Sequence, residues 1–167
     1  MRSRLRHAAQ QYQGHSDEHR PIRGYALAMG AYAGLAGTVV ALGRRRGVRL
    51  PERMPVGDGA LLGVATFRTS RLLTKAAVTS PLRAPFTRFE RPGGPGEVEE
   101  EVRADGDARA FAELLTCPFC LAQWISTCFV AAYVADARRT RWAATTLAIA
   151  STSDVLQHAY SAMEQAG

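Results

Sequence analysis

The chain has 167 residues, a formal net charge of +6 and 47% hydrophobic residues, which leaves room for one domain and its tails. Three cysteines exclude a disulfide-stapled secreted scaffold. A basic balance with no zinc-finger spacing, RNP-like strand motif or helix-turn-helix excludes the common nucleic-acid modules and leaves an anionic membrane surface as the expected partner of the arginines. The mean hydropathy of −0.13 hides a segregation of charge from apolarity along the chain. Lys75 is the single lysine, so the other basic residues are arginine.

Residues 1–23 are polar and carry His7, His15 and His19, which reads as a solvated tail. No cleavable signal peptide stands out. Residues 24–42 are 19 consecutive uncharged residues, close to the ~20 that cross a hydrocarbon core. Gly30, Ala33, Gly34 and Gly37 recur within this run, and Gly30 with Gly34 forms the small-residue spacing that lets helices in lipid approach closely. In a water-soluble helix each such glycine costs about 1 kcal/mol relative to alanine, so a transmembrane helix is expected over about 24–43. Arg44, Arg45, Arg46, Arg49 and Arg53 then form a basic loop of the positive-inside type. Pro51 and Pro55 end the loop, and Asp58 is the expected cap of a helix over about 58–75.

That second helix begins apolar and ends basic. Arg68, Arg71 and Lys75 lie at i, i+3 and i+7 and share one face. This suits either a short span or an interfacial helix. Pro81, Pro85 and the run Arg91-Pro-Gly-Gly-Pro-Gly96 predict an extended, turn-rich excursion over 76–106. Its acidic stretch from Glu97 to Glu101 can pair with the basic segments.

A helix is expected over 107–136, because residues 114–135 give 22 positions without a formal charge. A last helix over about 141–163 starts apolar and then carries Ser151, Ser153, Asp154, Gln157, His158 and Ser161. It can span only by hiding those groups inside a bundle. With four spans the arginine loops at 44–53 and 138–141 fall on one side of the membrane, and the tail and the 76–106 excursion on the other. The expected fold is therefore all-α, a three- to four-helix membrane bundle over 24–163 with a Pro/Gly-rich loop between helices 2 and 3.

Cys117-Pro118-Phe119-Cys120 is the sharpest motif. On a helix Cys117, Cys120, Trp124 and Cys128 fall on one stripe. A helix starting here would place Pro118 at its favoured first position and the Cys117 thiol at its positive end. A helix running through would be kinked by Pro118. Three readings compete for the motif: thiol redox through a Cys117/Cys120 disulfide, a zinc site completed by His158 and Asp154, and packing between helices. Asp154 and His158, at i and i+4, can pair with each other.

Several blocks together carry a resemblance: Arg71-Leu-Leu-Thr74, Val78-Thr-Ser-Pro-Leu-Arg83-Ala-Pro-Phe-Thr-Arg-Phe-Glu90, Pro95-Gly-Glu-Val98, Glu113-Leu-Leu-Thr-Cys117-Pro-Phe-Cys120-Leu-Ala-Gln-Trp124 and Ser153-Asp-Val-Leu-Gln-His-Ala-Tyr160. Over about residues 60–162 the chain resembles the domain-of-unknown-function 1360 family of small bacterial membrane proteins, some labelled sporulation-associated. The resemblance implies a small multi-pass protein of the bacterial cell membrane with no established activity, substrate or cofactor. Among the matching positions Arg71, Thr74, Arg83, Cys117, Cys120, Trp124 and Asp154 are candidates for the family's function. The expectation is a structural or interaction role in the cell envelope, more an interaction protein than an enzyme, with the lipid bilayer and a membrane-protein partner or second copy as partners. The alternative is a membrane thiol-redox or metal-binding protein using Cys117 and Cys120.

Overall fold

The computed structural model describes residues 20–49 and 51–166. The tail histidines His7, His15 and His19 lie outside the described residues. Among those residues the chain forms six α-helices and one two-stranded hairpin. The helices are α1 (Ile22–Arg45), α2 (Val56–Thr74), a one-turn α3 (Ser80–Arg83), α4 (Gly106–Thr116), α5 (Pro118–Ala135) and α6 (Ala137–Ala166). A 3-10 turn, Ala77–Thr79, precedes α3, and strands β1 (Thr87–Pro92) and β2 (Val98–Val102) follow it.

Three expectations change. The 76–106 segment is not a loop. Pro81 sits in the first turn of α3, where its missing N–H is no loss. The run Gly93-Gly-Pro-Gly96 turns the chain so that the acidic β2 pairs antiparallel with the arginine-bearing β1. Gly96 takes the left-handed backbone (φ +73°) this turn requires. The helix over 107–136 is also two helices. α4 stops at Thr116, Cys117 is extended (φ −100°, ψ 106°), and α5 starts at Pro118. A proline at position 118 cannot donate to the carbonyl of residue 114, so a continuous helix would lose that bond. Restarting the helix costs less. Asp58, expected as a cap, lies instead inside the first turn of α2, whose cap position is Pro55.

α2 lies between α5 and α6, which makes it the centre of the bundle. The packed core is small: Leu62 and Ala65 of α2, Tyr133 of α5 and Ala144 of α6. Two of these four are alanines, which let the helix axes approach closely. Ion pairs set the helix directions. Asp58 meets Arg141, with Arg141 Nε and Nη2 donating at 2.8 and 2.7 Å, and ten residues further along α2 Arg68 meets Asp154. α2 and α6 therefore run parallel. α5 runs against them, since Tyr133 near its end donates to Asp58 near the start of α2. The arginines at 44–46 and 138–141 thus share one end of the bundle, and the hairpin caps the other.

α1 is fastened through its first half. A side chain at Gly24 would place Cβ 2.7 Å from Ala110 Cβ and 2.9 Å from the Asp107 carbonyl oxygen, so only glycine fits where α1 crosses α4. Tyr25 donates to Glu113 at 2.5 Å, and Gln123 donates to Tyr32 at 2.8 Å. Tyr32 also meets the Trp124 ring edge-on at 5.3 Å. Beyond Tyr32 most side chains of α1 are exposed among the described residues. Among the described residues the expected close approach at Gly30 and Gly34 is not made, for a Cβ at either would meet nothing within 4 Å.

Candidate functional site

The polar groups of the chain gather at the hairpin end. There the basic stripe of α2 meets the acids of β2 in order. Arg71 donates through Nε and Nη2 to the two oxygens of Glu97 at 3.0 and 2.5 Å, the bidentate geometry that arginine favours with a carboxylate. Lys75 donates to Glu99 at 2.8 Å. The backbone joins in: Val98 donates to the Lys75 carbonyl and Ala77 to the Gly96 carbonyl, both at 2.9 Å.

Arg83 lies beneath this pairing. Its side chain is 1% exposed and that of its partner Glu100 is 7% exposed. Nε and Nη2 reach the two carboxylate oxygens of Glu100 at 2.7 and 3.1 Å. The remaining donors go to the Leu73 carbonyl at 2.7 Å, Thr79 Oγ1 at 2.8 Å and the Ala76 carbonyl at 3.1 Å. The Thr87 hydroxyl lies 3.0 Å from the Arg83 carbonyl and 3.2 Å from Glu100, within reach of either for its one proton. Among the described residues no buried side-chain nitrogen or oxygen lacks a partner. A charge buried this deeply is tolerated only when it is paired and saturated with hydrogen bonds. Thr74, also buried, donates back to the Ser70 carbonyl and belongs to the packing of α2.

The hairpin acids hold their protons weakly. The Lys75 ammonium beside Glu99 lowers its pKa from the usual carboxylate value. Burial raises that of Glu100, but the hydrogen bonds and charge of Arg83, with the Ser80 and Thr87 hydroxyls, outweigh it and bring it below the usual value. A depressed folded-state pKa adds stability above the unfolded value near 4.5, and that stability drains as pH falls through the folded values. Amide protection of Val98 and Ala77, corrected for intrinsic exchange, should therefore fall as pH drops below this range. Glu100→Gln should begin with weaker protection and show a flatter pH profile.

An open cleft of about 800 Å3 lies between the hairpin turn and the far ends of α2 and α6. Arg68, Arg71, Glu97, Asp154, Gln157 and His158 line it, together with apolar Phe67 and Val155. Three residues singled out in the sequence, Arg71, Asp154 and His158, thus come together. The expected pairing of Asp154 with His158 is replaced by one across the bundle, Asp154 with Arg68. The two arginines in the cleft each have their own acid, Arg68 with Asp154 and Arg71 with Glu97.

Cys117, Cys120 and Trp124 lie elsewhere. The two thiols stand at the α4–α5 junction. Trp124 lines a separate apolar groove of about 440 Å3, with Gly24, Leu27, Phe111, Leu115 and Leu121. Among the described residues no group of three or more His, Cys, Asp or Glu side chains gathers as metal ligands would. His158 lines the cleft, which includes neither Cys117 nor Cys120. Sequence reading expected the acidic stretch to pair with basic segments but did not single out Glu97, Glu99 and Glu100. Their signal was the matched spacing of Arg71 and Lys75 against Glu97 and Glu99.

Residues 61–160 match a family model described as a protein of unknown function (DUF1360). No curated protein and no solved structure matches the chain.

Proposed function

The chain belongs to the DUF1360 family, and on that premise we propose that it is a multi-pass integral protein of the bacterial cell membrane with a structural or interaction role. One observation carries the reading: two long apolar helices in whose most apolar stretches almost no residue is fully buried. α1 and α5 are long and apolar enough to cross a bilayer, yet in their most apolar stretches 0% and 6% of the residues are buried. A core helix of a soluble domain would be mostly covered. Large side chains elsewhere are also exposed, among them Met29 at 73%, Trp142 at 69% and Ile149 at 65%. Lipid is the solvent in which such surfaces carry no penalty.

The polar groups fit the same picture. Arg44, Arg45 and Arg46 close α1 at one end, and the hairpin with its ion pairs caps the other. These ends correspond to two interfaces, with the bare lengths of α1 and α5 between them. Within the bilayer the open Gly30 and Gly34 face of α1 gives a neighbouring helix room to approach its backbone. The hairpin, fastened by Arg71, Lys75 and Arg83, is a rigid surface for contacts outside the hydrocarbon. Its charge-balanced pairs suit a structural part better than a catalytic one.

Labelling from the two sides tests this arrangement. In a background with all three cysteines replaced by serine, Arg49→Cys and Gly94→Cys introduce single thiols at opposite ends. In sealed vesicles an impermeant maleimide should modify one of them before lysis and the other only after it. Equal modification of both before lysis contradicts the proposal.

A further inference from the structure

The α4–α5 junction brings two thiols together on a fixed frame. The Cys117 N–H bonds to the Glu113 carbonyl and its carbonyl receives the Leu121 N–H, both at 3.0 Å. Its Cα is therefore pinned between the two helices, while its side chain stays outside either helical ladder. The extended backbone turns that side chain back over the first turn of α5, where Sγ accepts the Cys120 N–H at 3.2 Å. Pro118, first in the helix, has no N–H to compete for it. The Cys117 sulfur thus lies beside the backbone nitrogen of Cys120, two bonds from the Cβ that carries the second thiol. Rotation about the Cys120 Cα–Cβ bond moves the sulfurs relative to each other without moving either helix.

Packing does not account for the pair. Cys120 is exposed, Cys117 is only half-buried, and Phe119 between them is 89% exposed. The third cysteine, Cys128, is two turns further along α5 and also exposed, so it serves as an internal control.

We propose that Cys117 and Cys120 are a reversible dithiol–disulfide couple that exchanges with disulfides arriving at the hairpin end of the bundle. The Cys117 sulfur, at the cap position outside either helical ladder and held by the Cys120 N–H, is the attacking sulfur. Its electron pair forms a bond to one sulfur of the incoming disulfide. The bond between the two incoming sulfurs breaks, and the departing sulfur leaves as a thiolate that takes a proton from water. Cys120 then gives its proton to water and attacks Cys117 in the mixed disulfide, releasing the second sulfur as a thiolate. The incoming disulfide has gained two electrons, and Cys117 and Cys120 have lost them to become a disulfide. The reverse path returns the dithiol.

The test uses the full chain in detergent, with glutathione and its disulfide as the probe and alkylation followed by intact-mass measurement as the readout. A Cys128→Ser variant should pass from two alkylated thiols to none as the buffer becomes oxidising, and return when it is reduced. In that background Cys120→Ser should accumulate a glutathione mixed disulfide on Cys117, at least about ten-fold faster than Cys117→Ser accumulates one on Cys120. Retained helical circular dichroism shows that the variants are folded. Two alkylatable thiols in fully oxidised glutathione, or equal capture rates in the two single-thiol variants, overturn the proposal. So does a wild-type disulfide that includes Cys128.

Discussion

Arg83→Met is expected to cost about 3–5 kcal/mol, the price of removing one member of a buried ion pair. The loss does not come from the attraction between Arg83 and Glu100 alone. Without the guanidinium, Glu100, now 7% exposed, has its negative charge opposed only by hydroxyls, and the Leu73 carbonyl loses the Arg83 donor that reaches it. The hairpin should detach first, because β2 is held to α2 by this network and by the pairs of Arg71 and Lys75. Arg83→Lys should rescue little, since one ammonium cannot reach both Glu100 oxygens and the four other acceptors that the planar guanidinium serves. The double change Arg83→Met with Glu100→Leu should regain most of the loss, because it buries no charge. Chemical denaturation in detergent, followed by hairpin amide exchange, reads all three. A single-variant cost below about 1 kcal/mol, the size of a solvent-exposed pair, would remove the clasp from the account.

The second large effect separates lipid from water as the solvent of the bare helices. Ala33 at the centre of α1 and Val130 in the second half of α5 are both exposed. In water an arginine at either site touches nothing and changes stability by about 0.5 kcal/mol or less. In a bilayer the same change costs about 2.5–3.5 kcal/mol for insertion at the helix centre. Ala33→Arg and Val130→Arg should each reduce the membrane-inserted fraction several-fold, and together almost abolish it. Arg46→Ala, at the end of α1, should leave that fraction nearly unchanged.

The parts of this fold that follow local rules were legible in the sequence. The uncharged runs at 24–42 and 114–135 located α1 and α5 by length alone. The shared face of Arg68, Arg71 and Lys75 located the polar stripe. Two features follow from chain geometry that periodicity does not carry. An uncharged run has the same hydropathy whether or not a helix breaks within it, so 107–136 read as one helix. The break appears only when the lost bond at Pro118 is weighed against the gain of a new helix start capped by Cys117. The hairpin was hidden because Arg-Pro-Gly-Gly-Pro-Gly and Glu97-Val-Glu-Glu-Glu resemble a solvated loop until their partners on α2 and α3 are known.

The candidate site shows the same limit. Arg71, Asp154 and His158 were named singly, and the structure draws them into one cleft because α2 and α6 run parallel. The partner of Asp154 is Arg68, 86 residues away, so helical spacing pointed to His158 instead. Gly24 drew no notice among the glycines of α1, whereas Gly30 and Gly34 did through their spacing. The crossing with Ala110 that makes Gly24 necessary is a contact between distant segments.

Extraction of the native protein from membranes tests the central claim most directly. If α1 and α5 cross the bilayer, alkaline carbonate and high salt should both leave the chain in the membrane pellet, and detergent alone should release it. Release into the supernatant by carbonate or salt without detergent would contradict the account.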